Sequence, residues 1–190
     1  MEIVNSREAL LVRHSELAQS RFSDAKLSLS SFDDVNMQGS TFTNINLGDT
    51  SFIDVNLSNV SIKNANLTGM KINGATKAPL SSFDDVNMQG STFTNINLGN
   101  ASFIDVDLSN VSIKNANLTG MKINDSKAPL SSFDDVNMQG STFTNINLGN
   151  ASFIDVDLSN VSIENANLTG MKINDVLVSE LMRVYEKLSK

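Results

Sequence analysis

The fold is decided by a stretch that reads Ser31-Phe32-Asp33-Asp34-Val35-Asn36-Met37-Gln38-Gly39-Ser40-Thr41-Phe42. Large apolar residues stand at every fifth position, and a smaller residue stands two positions before each of them. A period of five matches neither the 3.6-residue period of an α-helix nor the two-residue period of a strand. The two-residue step places both side chains on one face of a short extended segment, and the three-residue step leaves room for a corner. The sequence therefore predicts a coil of short strands.

This five-residue period continues from Phe22 to Ile173. The last position of each pentad often carries a residue that tolerates positive φ and suits a tight turn, as at Gly39, Asn44, Asn59, Asn64 and Gly69.

Three pentads identify a family resemblance. They read Ala65-Asn66-Leu67-Thr68-Gly69, Ala116-Asn117-Leu118 and Ala166-Asn167-Leu168. The chain resembles the pentapeptide-repeat family, whose motif is roughly Ala-(Asp/Asn)-Leu-x-x, over residues 15–174. The resemblance implies an all-β solenoid, a right-handed quadrilateral β-helix of about eight coils with about twenty residues per coil. In such a coil residues twenty apart stack, so two opposite faces should hold the aromatic residues, one with Phe22, Phe42 and Ile62 and the other with Phe32, Phe52 and Ile72. The period excludes the hexapeptide-repeat β-helices.

One block is written three times, as residues 30–80, 81–130 and 131–175 of one continuous solenoid. Residues 81–125 differ from residues 131–175 only at Lys114, which becomes Glu164. Such near-identity indicates an engineered or very recent triplication of a small protein. A block of about fifty residues fills two and a half coils, so each copy should face opposite to its neighbour.

The junctions between blocks contain Lys-Ala-Pro-Leu. Their register predicts that Ala78 and Ala128 point inward, with a locally thin core at Ala128 because its counterpart elsewhere is Leu or Met. The first junction carries one extra residue, and we expect it to bulge outward near Gly74.

The open ends of a solenoid need caps. We expect residues 1–14 to form an N-terminal cap with a short helix from Ser6 through Leu10, Leu11 and His14. The period changes at residues 175–190, where Asn174 or Asp175 can serve as the N-cap of a capping helix. Its apolar stripe also predicts a homodimer interface, made by Leu177, Leu181, Val184 and Leu188.

Composition limits the functions that the chain can perform. The 190 residues carry a net charge of −7, which disfavours direct binding to nucleic acid but permits an acidic surface that imitates it. There is no cysteine, and the sequence has no apolar run of membrane-spanning length. Residues 1–7 lack a basic region followed by an apolar one, so we expect a cytoplasmic protein.

Few residues are candidates for a catalytic or metal-binding role. His14 is the only histidine, which excludes a catalytic triad and an ordinary zinc site, and it is interpreted as a cap residue. Three carboxylate pairs should stack about 5 Å apart, near the spacing of a retaining glycosidase pair, but on an exposed wall. A turn role fits them better than catalysis, and a weak surface cation site is the alternative; the pairs are Asp34 and Asp54, Asp85 and Asp105, and Asp135 and Asp155.

The sequence offers no catalytic, cofactor-binding or metal-binding residue. The Thr-Phe-Thr segment at Thr41 resembles an ice-binding rank, but Ser61 and Lys63 should interrupt it in the next coil. The prediction is a non-enzymatic structural scaffold, a lengthened β-helical rod. The alternative implied by the family resemblance is a regulatory protein that imitates DNA and binds a type II topoisomerase such as gyrase.

Overall fold

A left-handed residue ends each pentad in the computed structural model, which describes residues 2–4, 9–74 and 78–189, the first three by backbone alone. Positive φ recurs at every fifth residue from His14 to Gly74 and again from Leu80 to Gly170. Asn44 has a φ of 53° and Gly39 a φ of 68°, so the predicted role of the last pentad position is confirmed. Gly39 and its equivalents turn the chain between strands, whereas Asn44 and its equivalents bend the chain within a strand or directly after one.

The strands alternate between two opposite walls of one solenoid of about eight coils. Among the described residues, the odd-numbered strands β1 to β17 form a nine-stranded sheet, and the even-numbered strands together with β19 form a ten-stranded sheet. In chain order the elements are β1 (Glu2–Val4), β2 (Leu11–Glu16), β3 (Arg21–Ser23), β4 (Ser31–Asn36), β5 (Thr41–Asn46), β6 (Ser51–Ile53), β7 (Ser61–Asn66), β8 (Lys71–Asn73), β9 (Ser82–Asn87), β10 (Thr92–Asn97), β11 (Ser102–Asp107), β12 (Ser112–Asn117), β13 (Lys122–Asn124), β14 (Ser132–Asn137), β15 (Thr142–Thr144), β16 (Ser152–Asp157), β17 (Ser162–Glu164), β18 (Lys172–Ile173), β19 (Val176–Leu177) and α1 (Val178–Leu188).

Strand pairing follows the predicted spacing. Phe42 pairs in parallel register with Phe22 on one side and Ile62 on the other, each twenty residues away. The spacing becomes 21 where Ile62 pairs with Phe83, which places the extra residue between Gly74 and Ala78. The bulge expected there falls on residues 75–77, outside the described residues.

One hydrophobic core runs the length of the solenoid. Aromatic rings stack in pairs, with centroids 4.6 Å apart for Phe22 and Phe42 and 4.7 Å apart for Phe83 and Phe103. Ala78 and Ala128 are 1% and 0% exposed, so both point inward as predicted. The thin core at Ala128 stays a prediction.

Several hydroxyls that point inward donate to the backbone of the preceding coil, although the buried hydroxyl of Ser20 has no hydrogen-bond partner among the described residues. The hydroxyl of Ser40 donates to the carbonyl oxygen of Leu17 at 2.8 Å, and the hydroxyl of Ser141 donates to that of Leu118 at 2.7 Å. These bonds offset the cost of burying a hydroxyl, so the core tolerates serine where the motif prefers a small apolar residue.

The solenoid begins earlier than residue 15. Leu11–Glu16 forms strand β2 and pairs with β4, so the helix predicted through Leu11 and His14 is wrong. Val12 pairs with Phe32 in the same twenty-residue register as the later coils outside the first junction. This pairing outcompetes the weak helical spacing of Leu10, Leu11 and His14. Ser6, the proposed cap of that helix, lies outside the described residues.

The C-terminal helix is confirmed, but it begins at Val178, none of its residues is buried, and neither Asn174 nor Asp175 is its N-cap. Its role as a cap over the end of the core stays a prediction. Both residues have positive φ, 44° and 63°, and form the two-residue turn of the antiparallel β18–β19 hairpin. The helix starts after this hairpin, with Leu177 as an N-cap that makes no side-chain cap bond. Within the described residues, no helix has the length and apolar character needed to cross a bilayer.

Candidate functional site

The acidic pairs alternate between opposite walls. Asp34 lies in β4 and Asp54 directly follows β6, and both strands belong to the ten-stranded sheet. Asp85 and Asp105 lie in β9 and β11 of the nine-stranded sheet. The third pair, Asp135 and Asp155, returns to the ten-stranded sheet. The predicted change of face between blocks is therefore confirmed. A patch present in one block does not extend along one side of the rod.

Asp85 and Asp105 belong to a column of three carboxylates that is completed by Asp125. All three are exposed at left-handed positions and line a shallow groove of about 330 Å³. Asp125 lies twenty residues after Asp105 in the same block, but sequence reasoning missed it because the equivalent residue of the first block is Gly74 and the column of three is not repeated there. In this column Asn145 donates to Asp125 at 2.9 Å, which closes the C-terminal side of the cluster.

The same edge of the solenoid carries an amide ladder in earlier coils. Asn64 donates to Asn44 at 2.6 Å, and Asn44 donates to Asp24 at 3.1 Å. These side chains line a shallow groove of about 630 Å³ whose floor includes Ala25 and Ala65. Because the amides bond to one another along the ladder, they present a continuous polar edge and no convergent set of catalytic groups.

His14 lies in strand β2 and not in a helical cap, which corrects its predicted role. Its Nδ1 lies 2.8 Å from Asp34 Oδ2 in the next coil, and both side chains are largely exposed. The pair stands at the left-handed corner, with a φ of 46° at His14 and 54° at Asp34. His14, Asp34 and Asp54 therefore lie one above the other at the same corner of three successive coils.

Cation–carboxylate pairs link strands across the block junctions. Lys63 Nζ lies 2.8 Å from Asp84 Oδ2, and Lys114 Nζ lies 2.9 Å from Asp134 Oδ2. Hydrogen bonding to Asp84 raises the pKa of the Lys63 ammonium, and Asp134 raises the pKa of Lys114 in the same way. Both lysines are mostly exposed, so each pair contributes little to stability in water.

Among the ion pairs of the described residues, Asp107 is the most enclosed carboxylate. Its Oδ2 lies 2.9 Å from Lys127 Nζ, and its Oδ1 accepts the backbone N–H of Ser109 at 3.0 Å. Partial burial pushes the pKa of Asp107 upward, but the bonds from Ser109 and Lys127 have the larger combined effect and hold it below its usual value. In the third block, bonds from Ser159 lower the pKa of Asp157.

The remaining candidates form no reactive cluster in the part of the chain that the structure describes. No group of three or more histidine, aspartate or glutamate side chains there is arranged to hold a metal ion. Thr41 pairs with Ser61 and Thr43 with Lys63, so the threonine rank is interrupted as predicted. What the surface offers is a set of shallow polar grooves along the edges of the rod.

The chain belongs to the pentapeptide-repeat family. The family model described as "Pentapeptide repeats (8 copies)" matches residues 12–44, 30–69, 81–120 and 131–170. These matches cover most of the chain and lie within the solenoid. No curated protein matches the sequence significantly.

Solved structures of two other pentapeptide-repeat proteins resemble the chain. HetL, involved in heterocyst differentiation regulation in the cyanobacterium Nostoc sp. strain PCC 7120, is 16% identical with a TM-score of 0.48, and the match covers 92% of this chain and 91% of HetL. A trypsin-treated form of QnrB1, a plasmid-mediated fluoroquinolone resistance protein, is 17% identical with a TM-score of 0.48 over 96% and 98% of the two chains. These likenesses are too distant to support an inference about function.

Proposed function

We propose that the chain is a non-enzymatic structural rod, lengthened by an engineered or very recent triplication. The observation that carries this proposal is the strand pairing across both block junctions, where β7 pairs with β9 and β12 pairs with β14 without a break. The buried pattern continues through these junctions while the acidic pairs change face. A rod needs a continuous core, whereas a multiplied binding site needs a continuous surface.

Spin labels on paired cysteines test the rod, because the chain has no cysteine of its own. Lys26 and Asn147 stand in one column six coils apart, so labels at Lys26→Cys and Asn147→Cys should give a narrow distance distribution near 29 Å (about 4.8 Å per coil). The matched pair Lys26→Cys and Lys127→Cys should be about 5 Å shorter. Broad distributions, or equal distances for the two pairs, would contradict a continuous rigid solenoid.

The C-terminal helix supports a second part of the proposal, a homodimer formed by two copies of α1. Leu181 is 47% exposed, Val184 51% and Leu188 82%, and their spacing places them on one face of α1, whereas Leu177 lies just before the helix in β19. Light scattering on a sizing column should show a dimer for the intact chain and a monomer for the Leu181→Asp, Val184→Asp variant. A monomer in both cases removes the dimer, and Ser179→Asp serves as a control outside the stripe.

The second candidate function is a DNA-imitating binder of gyrase, favoured by the net charge of −7 and the Asp85, Asp105 and Asp125 column. A supercoiling assay separates the two functions. Dose-dependent inhibition at micromolar protein, lost when all three aspartates become asparagine, would favour the binder. A structural rod should leave supercoiling unchanged. We also propose a cytoplasmic location, which fractionation of the producing cell tests.

A further inference from the structure

At each block boundary, the same kind of lysine–aspartate ion pair joins neighbouring strands. In the nine-stranded sheet Lys63 faces Asp84, and in the ten-stranded sheet Lys114 faces Asp134. Each lysine follows an inward isoleucine, and each aspartate follows the phenylalanine that stacks beneath that isoleucine. At both block boundaries, a strand that begins Ser-Ile-Lys pairs with a strand that begins Ser-Phe-Asp-Asp.

The third block replaces this lysine with Glu164. Strand β17, which carries Glu164, is the last strand of the nine-stranded sheet and pairs with β15 alone among the described strands. Glu164 is exposed, and its Oε1 accepts a hydrogen bond from the Ser162 hydroxyl at 3.0 Å. An open strand edge displays backbone N–H and C=O groups that can pair with another chain.

The open edge of β17 fits a strand that this chain contains three times. Strands β4, β9 and β14 all read Ser-Phe-Asp-Asp-Val-Asn, and β17 begins Ser-Ile like β7 and β12. In a second copy whose coils have opened during folding, such a strand is free to pair with β17. In the register used by β7 and β12, its phenylalanine would then lie opposite Ile163. Exchange of identical elements between copies is a common route to dimers and larger assemblies.

We propose that Glu164 hinders the open edge of β17 from accepting the Ser-Phe-Asp-Asp strand of a second copy of this chain. In that pairing its carboxylate would face the first aspartate of the incoming strand, where Lys63 and Lys114 face Asp84 and Asp134. Like charges directly opposite each other destabilise strand pairing. This role is independent of the proposed rod function.

Refolding at several protein concentrations tests the proposal. The intact chain, Glu164→Lys, Glu164→Gln and Glu186→Lys are diluted from denaturant, and the fraction larger than the native species of each chain is measured by light scattering on a sizing column. Glu186→Lys makes the same change of net charge on an exposed helix position.

Glu164→Lys should raise the larger fraction about fivefold to tenfold, because it exchanges a repulsive pair for an attractive one. Glu164→Gln should give a smaller rise, and Glu186→Lys should behave like the intact chain. High salt should reduce the difference between the chains, since the effect is electrostatic. Equal fractions for the intact chain and Glu164→Lys, or an equal rise with Glu186→Lys, would overturn the proposal.

Discussion

Three leucines hold a backbone conformation that leucine rarely adopts. Leu29, Leu80 and Leu130 have φ values of 62°, 59° and 59°, at turn positions where most pentads carry asparagine, aspartate or glycine. A left-handed conformation costs an ordinary residue roughly 1–2 kcal/mol. All three side chains are largely exposed, so burial recovers little of that cost.

Leu130→Asn should therefore stabilise the protein by about 1 kcal/mol, because asparagine tolerates the left-handed region. Leu130 is 58% exposed, and its loss removes few contacts. Urea unfolding of both chains measures the change. Leu130→Ala is the matched control, since it removes the same side chain but keeps the unfavourable backbone preference. An equal effect of both substitutions would show that strain at Leu130 is not the cause.

Asp107 should make stability depend on pH in the acid range. Its pKa in the folded protein lies below that of an unfolded aspartate, about 3.9, so the unfolded chain binds a proton first as the pH falls. The stabilisation is therefore present above about pH 4 and is lost as the pH falls through the folded pKa.

Asp107→Asn should be less stable than the intact chain at pH 7, by up to about 1 kcal/mol, and about equally stable near pH 2. Chemical unfolding at several pH values measures this. Lys127→Met should reproduce part of the effect because it removes one of the two bonding partners. A difference that is the same at both pH values would exclude a role for the Asp107 carboxylate.

At the level of elements, the stacked aromatic rings determine how much a substitution in a strand lowers the free energy of unfolding. Phe103 is buried in β11, with its ring stacked 4.7 Å from that of Phe83 and its backbone in register with Ile123. Hydrogen-bonded coils on both sides hold the backbone, so the structure cannot close over a cavity.

Phe103→Ala should cost about 3–5 kcal/mol, measured by thermal or urea unfolding. Phe103→Ile should cost only about 1 kcal/mol, because isoleucine already occupies this column at Ile62 and Ile123. Similar losses for the two variants would show that the ring stack, and not the filled volume, supplies the stability.

The sequence predicted the elements of the solenoid better than its ends. The five-residue period is repeated in every coil, and each repeat constrains the next through strand pairing. The ends lack that redundancy. Asn174 and Asp175 suit both a helix N-cap and a left-handed hairpin turn, so local residue type does not distinguish the two structures.

The N-terminal error has a related cause. Leu10, Leu11 and His14 have helical spacing, but this segment is too short for helix propensity to compete with pairing to β4. The carboxylate column was predicted only at Asp85 and Asp105. Asp125 was missed because the equivalent residue is Gly74 in the first block and Asp175, in the β18–β19 turn, in the third, so the column of three occurs only in the second block. The surface is therefore the part that a repeat-by-repeat reading describes least well.

For the whole molecule, the register predicts which deletions are tolerated. Removal of residues 81–130 joins Leu80 to Ser131, and Ser131 begins the same Ser-Ser-Phe sequence as Ser81. We expect a shorter solenoid that still unfolds cooperatively, with a smaller denaturant dependence because less surface is buried.

Removal of residues 81–133 is the control, because it shifts the pentad phase by three positions and directs polar residues inward. Circular dichroism and urea unfolding should show a folded protein for the first deletion and a non-cooperative one for the second. Comparable unfolding transitions for both would mean that the pentad phase does not govern folding.

The change of face between blocks has a geometric consequence for anything attached to the rod. Successive blocks are related by an approximate twofold screw axis along the solenoid, with a half-turn and a rise of about 12 Å per block. Groups attached at Leu29, Leu80 and Leu130 would therefore project alternately to opposite sides, and the first and third would be about 24 Å apart on the same side. Adding blocks would extend two antipodal rows of attachment points, each with its own regular spacing.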